Sequence, residues 1–175
     1  MRDRRTRACR ARPVDGGRIV IVRTATPADV PDILRLIRAL ATYEHEPHAV
    51  KATEESLHET FFADNAQVFG HVAEIDGIVV GIAVWFLNYS TWTGRPGIYL
   101  EDLFVTDAAR GTGAGRALFR ALGQEAQRRG CARIDWAVLD WNTPAMDFYR
   151  AIGGRPQSGW QPWRIDGAAL EALTR

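Results

Sequence analysis

The apolar residues of this chain change period several times, and each change marks a predicted element. Ile19-Val20-Ile21-Val22 is a short unbroken apolar run, which predicts a buried strand. Thr26-Pro27 then starts a helix, with a cap, a proline at the first position and Asp29 in the first turn. Ile33, Leu34, Leu36, Ile37 and Leu40 lay an apolar stripe along that helix as far as Tyr43. A polar, irregular segment follows to Lys51, and Thr53-Glu54-Glu55 caps a second helix through Phe62. Strands over 67–75 and 78–87 flank Asp76-Gly77, a dipeptide suited to a type I′ hairpin turn. Residues 88–97 read as a turn-rich loop leading to a strand over 98–105, a glycine-rich turn over 110–115 and a helix over 115–129. A strand over 132–139, a short helix capped by Asn142 or Thr143 with Tyr149 at its far end, a last strand over 160–165 and a terminal helix over 168–173 complete the chain. An antiparallel front joined to a strand–helix–strand crossover predicts an α+β fold, with a mixed, mostly antiparallel central sheet and helices on both faces.

Composition narrows the class. The 175 residues suit one domain, expected over 18–175, with 46% hydrophobic and 25% charged residues. No apolar run approaches the ~18 residues of a membrane helix, so no membrane partner is expected. Residues 1–17 hold six Arg against Asp3 and Asp15 and almost nothing apolar, which predicts a disordered, Arg-rich extension. A nucleic-acid arm or a targeting peptide would call for aromatic interleaving, an apolar core or an amphipathic Ser-rich pattern, and none is present. Without that tail, sixteen basic residues face nineteen acidic ones, about −3 by formal count, which suits a cationic substrate better than nucleic acid. Two cysteines far apart give no disulfide framework and fit a reducing cytoplasm. His45 and His48 flank Glu46, but Pro47 breaks the helix that would align them, so no metal site is expected.

Arg110-Gly111-Thr112-Gly113-Ala114-Gly115 carries the candidate chemistry. Glycines without Cβ let backbone N–H groups converge, and the helix that follows adds partial positive charge at its N-terminus. The turn is neither a Walker loop nor GxGxxG, so by itself it reads equally as a strand-to-helix connection or an anion site. From Arg110 to Gly115 it resembles the Arg/Gln-x-x-Gly-x-Gly/Ala signature of the GNAT superfamily of N-acetyltransferases. Asn142-Thr143-Pro144-Ala145 with Phe148-Tyr149 resembles that superfamily's later Asn-x-x-Ala-x-x-Phe-Tyr element. The likeness extends over about 19–166 to the diamine (spermidine/spermine) and thialysine branch, through 25–43, Tyr99-Leu100-Glu101-Asp102, Trp141-Asn142 and Gly159-Trp160.

The resemblance implies acetyl transfer from acetyl-CoA to a primary amine of a small cationic substrate by a cytoplasmic homodimer. It also assigns residues. Glu101 takes the amine proton and Tyr149 returns one to the leaving thiolate. Backbone groups of Leu103, Phe104 and Val105 hold the acetyl carbonyl and pantetheine arm, and Arg110, Gly111, Thr112, Gly113, Ala114, Gly115 and Arg116 take the pyrophosphate. Asn142 contacts pantetheine, while Ala145 stands where some relatives offer a hydroxyl. The acceptor falls to Tyr43, Glu44, Trp92, Glu101, Asp102, Asp135, Trp136, Ala137 and Trp160, carboxylates and aromatic faces that suit ammonium groups. Ser90 stands where polyamine enzymes place an acid. In a regular strand Asp102 would face away from Glu101, so both serve one site only across a bulge. Protein lysine or N-terminal acetylation, and acyl-CoA sensing without turnover, are the alternatives.

Overall fold

Strands pair in simple sequence order here. The structure is a computed structural model that describes residues 9, 10 and 19–174. Its sheet contains β1 (Cys9–Arg10), β2 (Val20–Thr24), β3 (Val68–Ile75), β4 (Ile78–Ser90), β5 (Arg95–Val105) and β6 (Ile134–Trp136). All neighbours are antiparallel except β5 and β6, which run parallel through the helical crossover. The mixed, mostly antiparallel sheet is therefore as expected, with differences of detail. Within the expected disordered extension, Cys9 and Arg10 pair with Val22 and Ile21, and the rest of that expectation lies outside the described residues. The loop over 88–97 is largely strand: β4 runs to Ser90 and β5 begins at Arg95, because Ser90 pairs with Arg95 across a tight turn. The apolar run 132–139 keeps only three strand residues, since β6 pairs with Ile98, Tyr99 and Leu100 and no further.

Helices cover both faces. α1 (Val30–Tyr43) and α2 (Glu54–Phe62) close one face through Ile33, Leu34, Leu36, Leu57 and Phe61 against Val72, Ile82, Val84 and Phe104. A short 3₁₀ turn, Pro27–Asp29, precedes α1, so the α-helix proper begins three residues after the predicted start. Asp29 is buried there, accepting hydrogen bonds from Thr26 N (2.7 Å) and Thr26 Oγ1 (2.8 Å), and from Arg23 Nη1 and Nη2 (2.6 and 2.7 Å). Those charge-assisted bonds outweigh burial and hold its pKa below the ordinary aspartate value.

α3 (Ala114–Arg128) covers the other face. Ala114, Ala117, Leu118, Ala121, Leu122 and Ala126 recur at helical spacing and meet Val20, Val22, Ala73, Ala83, Trp85, Ile98 and Leu100. Under α3 the sequence conceals a polar pair: Trp85 Nε1 donates to buried His71 Nδ1 at 3.0 Å, and burial pushes the His71 pKa down.

By contact density the chain divides into residues 1–137 and residues 138–175. The second unit carries α4 (Thr143–Ala151) and α5 (Gly167–Ala172), as predicted to within a residue or two. The expected strand over 160–165 is absent among the described residues, where that segment is irregular and Trp160, Trp163 and Ile165 are exposed. A lone strand satisfies none of its own backbone groups, and Pro162 within this segment has no N–H to give a ladder.

Candidate active site

The site is organised by one break in the alternation of β5. Ile98 and Leu100 lie in the core on the α3 side, as do Ala83 and Trp85 of β4. Phe104 belongs to the opposite core, under α1 and α2, together with Ile82 and Val84, while Leu103 and Val105 pack toward α3. Even-numbered residues thus occupy both sides of one strand, which requires a slip of one residue between Leu100 and Leu103. The register shows it: Trp85 faces Leu100, Val84 faces Asp102, and Glu101 is the extra residue of a β-bulge. Glu101 and Asp102 therefore both project toward α1.

At the end of α1 stand Tyr43 and Glu44, where Glu44 N bonds Leu40 O at 2.9 Å. Burial raises the Glu44 pKa. Asp102 is pushed up to about 6, first by burial and then by the negative charges of Glu101 and Glu44. Glu44 and Glu101 thus stand close enough to Asp102 for their negative charge to add to its cost of ionisation. A cation entering among them relieves both the desolvation and the repulsion.

Beyond the bulge, β5 loses its neighbour on one side. The β5–β6 ladder ends at Leu100 and Trp136, so from Glu101 to Val105 alternate backbone groups face an edge that β6 does not cover. Strand β5 then feeds a 3₁₀ turn, Asp107–Ala109, and the glycine turn. Thr112 Oγ1 donates to Ala109 O at 2.7 Å and ties the turn down. Gly111 and Gly113 have φ of 79° and 84°, the left-handed region that favours glycine. A Cβ at Gly111 would meet nothing within 4 Å, so the turn opens onto free space. Gly113 caps α3, whose first turn holds no acidic residue and whose cap makes no side-chain hydrogen bond. The first N–H groups of α3 and the helix dipole remain available to an anion, so the turn fits a pyrophosphate.

Gly113→Ala is expected to weaken the binding of a pyrophosphate-bearing ligand up to about tenfold, from roughly 1–2 kcal/mol of left-handed strain; calorimetric titration of the same ligand into both proteins checks this.

One contact joins the two halves of this wall. The Arg110 guanidinium lies 4.9 Å from the Tyr43 ring centroid while Arg110 Nη2 pairs with Asp107 at 2.9 Å. Sequence reasoning placed Arg110 with the anion and Tyr43 with the acceptor, and it carried no sign that they touch.

Other expected acceptor residues are placed differently. Trp92 sits in the β4–β5 turn, 85% exposed, and Glu101 lies six residues beyond the start of β5, about 20 Å along the strand. Trp92 is not brought to the carboxylates of its own chain. Asp135 is already engaged, its Oδ2 accepting from Asn88 Nδ2 at 2.9 Å and Arg133 Nε at 2.5 Å. Trp136 packs edge-on against Phe119 of α3, with ring centroids 5.4 Å apart, and Ala137 follows it at the end of the first unit. In the second unit, buried Asn142 caps α4, its Oδ1 accepting from Ala145 N at 3.3 Å. Tyr149 lies on the last turn of that helix, half-buried, with its ring 5.6 Å from that of Phe148. Trp160 is 71% exposed.

With a bulged strand, an uncovered strand edge beyond it and a glycine-capped helix N-terminus, the chain belongs to the GNAT family of acetyltransferases, whose family model matches residues 31–153. It is an acyltransferase enzyme of that family, whose members use acetyl-CoA. It is similar to thialysine N-epsilon-acetyltransferase of Sus scrofa, 38% identical over 165 residues, covering 88% of this chain and 96% of that one. It also resembles L-ornithine N5-acetyltransferase of Arabidopsis thaliana, 29% identical, with 88% of this chain and 87% of that one covered. Among solved structures, an integron cassette protein from Vibrio cholerae superimposes with a TM-score of 0.75 at 26% identity, over 89% of this chain and 98% of that one. An aminoglycoside N-acetyltransferase in complex with CoA shares the fold, with a TM-score of 0.69 at 19% identity over 87% and 98%.

Proposed function

We propose that this chain transfers an acetyl group from acetyl-CoA to a primary amine of a small cationic acceptor of the thialysine, ornithine or diamine type. The observation that carries the reading is the convergence of Glu44, Glu101 and Asp102 beside the uncovered stretch of β5. Three carboxylates on one wall suit an acceptor with more than one ammonium group better than an uncharged alcohol. The relatives named for thialysine and ornithine point the same way, since both molecules carry a side-chain amine.

Acetyl-CoA supplies the activated thioester. In this reading the glycine turn and the first turn of α3, from Gly111 to Arg116, grip the pyrophosphate. The backbone of Leu103, Phe104 and Val105, past the end of the β5–β6 ladder, holds the acetyl carbonyl and pantetheine arm, with Asn142 as a further contact. A carboxylate of the bulge removes the ammonium proton, and Tyr149 returns one to the departing sulfur. Tyr43 provides aromatic surface for the acceptor.

No described helix is long and apolar enough to cross a membrane. We read the enzyme as a cytoplasmic homodimer, a state supported by the exposed Leu87, Tyr89 and Trp92 of the hairpin and by Trp160, Trp163, Ile165, Leu170 and Leu173. Acetyl-CoA turnover with thialysine, ornithine, lysine, putrescine, spermidine and a lysine peptide is the direct test. Release of CoA with one of the small amines is expected, from a species of twice the chain mass by light scattering. Faster turnover of the peptide would make this a protein acetyltransferase, and CoA binding without release for any amine would make it a sensor.

A further inference from the structure

Acetyl-CoA, as read above, is held at two places at once: by its pyrophosphate at the glycine turn and by its pantetheine arm along the end of β5. We propose that Gly81, beside a second bulge of the sheet, is the positioning residue that sets the separation of those two holds, an inference that rests on the acetyl-CoA reading.

Strand β4 carries one residue too many against β3. Ala73 faces Gly81 and Glu74 faces Val79, which leaves Val80 as the extra residue. Val80 packs toward α3, whereas Val79 and Ile82 belong to the core under α1 and α2. The two carbonyls at the bulge reach different elements. Val79 O accepts from Arg35 Nη2 of α1 at 2.8 Å, and Val80 O accepts from Thr106 N at 2.9 Å. Thr106 joins β5 to the 3₁₀ turn that leads to Gly111. The bulge therefore ties the chain down where the strand hands over to the glycine turn.

Gly81 itself pairs with Val105. A Cβ there would stand 3.0 Å from Phe104 O, 3.1 Å from Val105 Cγ2 and 3.4 Å from Leu118 Cδ1. The first two distances lie inside ordinary van der Waals contact, so the approach of β5 to β4 at this point depends on the missing side chain. Each neighbour belongs to one of the two holds. Phe104 and Val105 lie on the stretch of β5 that β6 leaves uncovered, and Leu118 lies early in α3, whose start is capped by Gly113. Leu118 is fully buried, and close packing transmits a push on its side chain to the helix. A methyl group at position 81 would thus move the strand toward its free edge and lift α3 from the sheet, and a single ligand spanning both elements would no longer fit both.

The test is calorimetric titration of acetyl-CoA and of ADP, which has the pyrophosphate and no pantetheine arm, into the wild type, Gly81→Ala, Thr106→Pro and Leu57→Ala. Thr106 has φ of −55°, an angle that proline adopts, so Thr106→Pro removes the N–H given to Val80 O and keeps the backbone angle. Leu57→Ala opens the core under α2 and reports a loss of stability alone. Gly81→Ala and Thr106→Pro are each expected to weaken acetyl-CoA about tenfold and ADP less than about twofold, while Leu57→Ala leaves the ratio of the two affinities unchanged. Equal weakening of both ligands, a wild-type ratio in a variant that keeps its circular dichroism, or a similar change of ratio in Leu57→Ala would overturn the role of Gly81 and leave the acetyl-CoA reading intact. A wild type that binds acetyl-CoA no more tightly than ADP overturns both.

Discussion

An enzyme carrying Glu101→Gln and Asp102→Asn together is expected to lose about 10³-fold in kcat/KM for its amine at pH 7, while its affinity for CoA stays within a factor of about two. An alkylammonium with pKa ~10.4 is neutral in only about one molecule in ~2,500 at pH 7, a handicap of roughly 4.6 kcal/mol that a positioned base offsets. The double variant leaves neither bulge carboxylate to accept the proton, and it also removes two of the three negative charges that hold the cation. The sites are adjacent and electrostatically coupled, so the double loss should fall short of the product of the single losses. Stopped assays of CoA release, with calorimetric titration of CoA on the same preparation, measure both quantities. A double variant within tenfold of the wild type would remove the β5 bulge from the chemistry.

Asp102→Asn alone should make the protein more stable. The folded-state pKa of about 6 lies above the ordinary 3.8, so the folded state holds its proton more tightly than the unfolded chain. Relative stabilisation from this group is therefore present below about pH 4 and is lost as pH rises through about 6. At pH 7 the ionised Asp102 costs the fold about 2–3 kcal/mol, which the neutral asparagine avoids. An amide without a partner gives back about 1 kcal/mol, leaving a net gain of roughly 1–2 kcal/mol at pH 7 that vanishes near pH 4. Urea unfolding of both proteins at pH 7 and pH 4 measures it. A variant less stable than the wild type at pH 7 would show that Asp102 is satisfied in the native state.

How much of this was legible in the sequence depends on the range of the interactions. The glycine turn, α3 and the cap at Asn142 are written locally, in residues a few places apart, and the structure has them where the pattern predicts. So is the Asp76-Gly77 hairpin, with Asp76 and Gly77 both at positive φ. Local pattern fails where a strand needs a partner. Ala132 to Leu139 is apolar enough for eight strand residues, but only three meet β5, and the run over 160–165 meets no strand among the described residues. The site shows the same division. Glu101 and Asp102 could be named from the chain, yet their common side follows from the register with β4, which no local pattern encodes. The stacking of Arg110 on Tyr43 is likewise a contact between elements 67 residues apart, settled only by packing. His71, assigned nothing by its neighbours in sequence, acquires a partner only when Trp85 is folded beside it.

The slip at Glu101 also bears on what this strand could tolerate over evolutionary time. With that residue removed, Leu100 and Asp102 would follow one another in regular alternation opposite Trp85 and Val84, and Leu103, Phe104 and Val105 would keep the faces they have. Neither core therefore requires the extra residue. What a deletion would take away is the second carboxylate on the α1 side, so the length of β5 between Leu100 and Leu103 answers to the acidic cluster and not to the packing on either face.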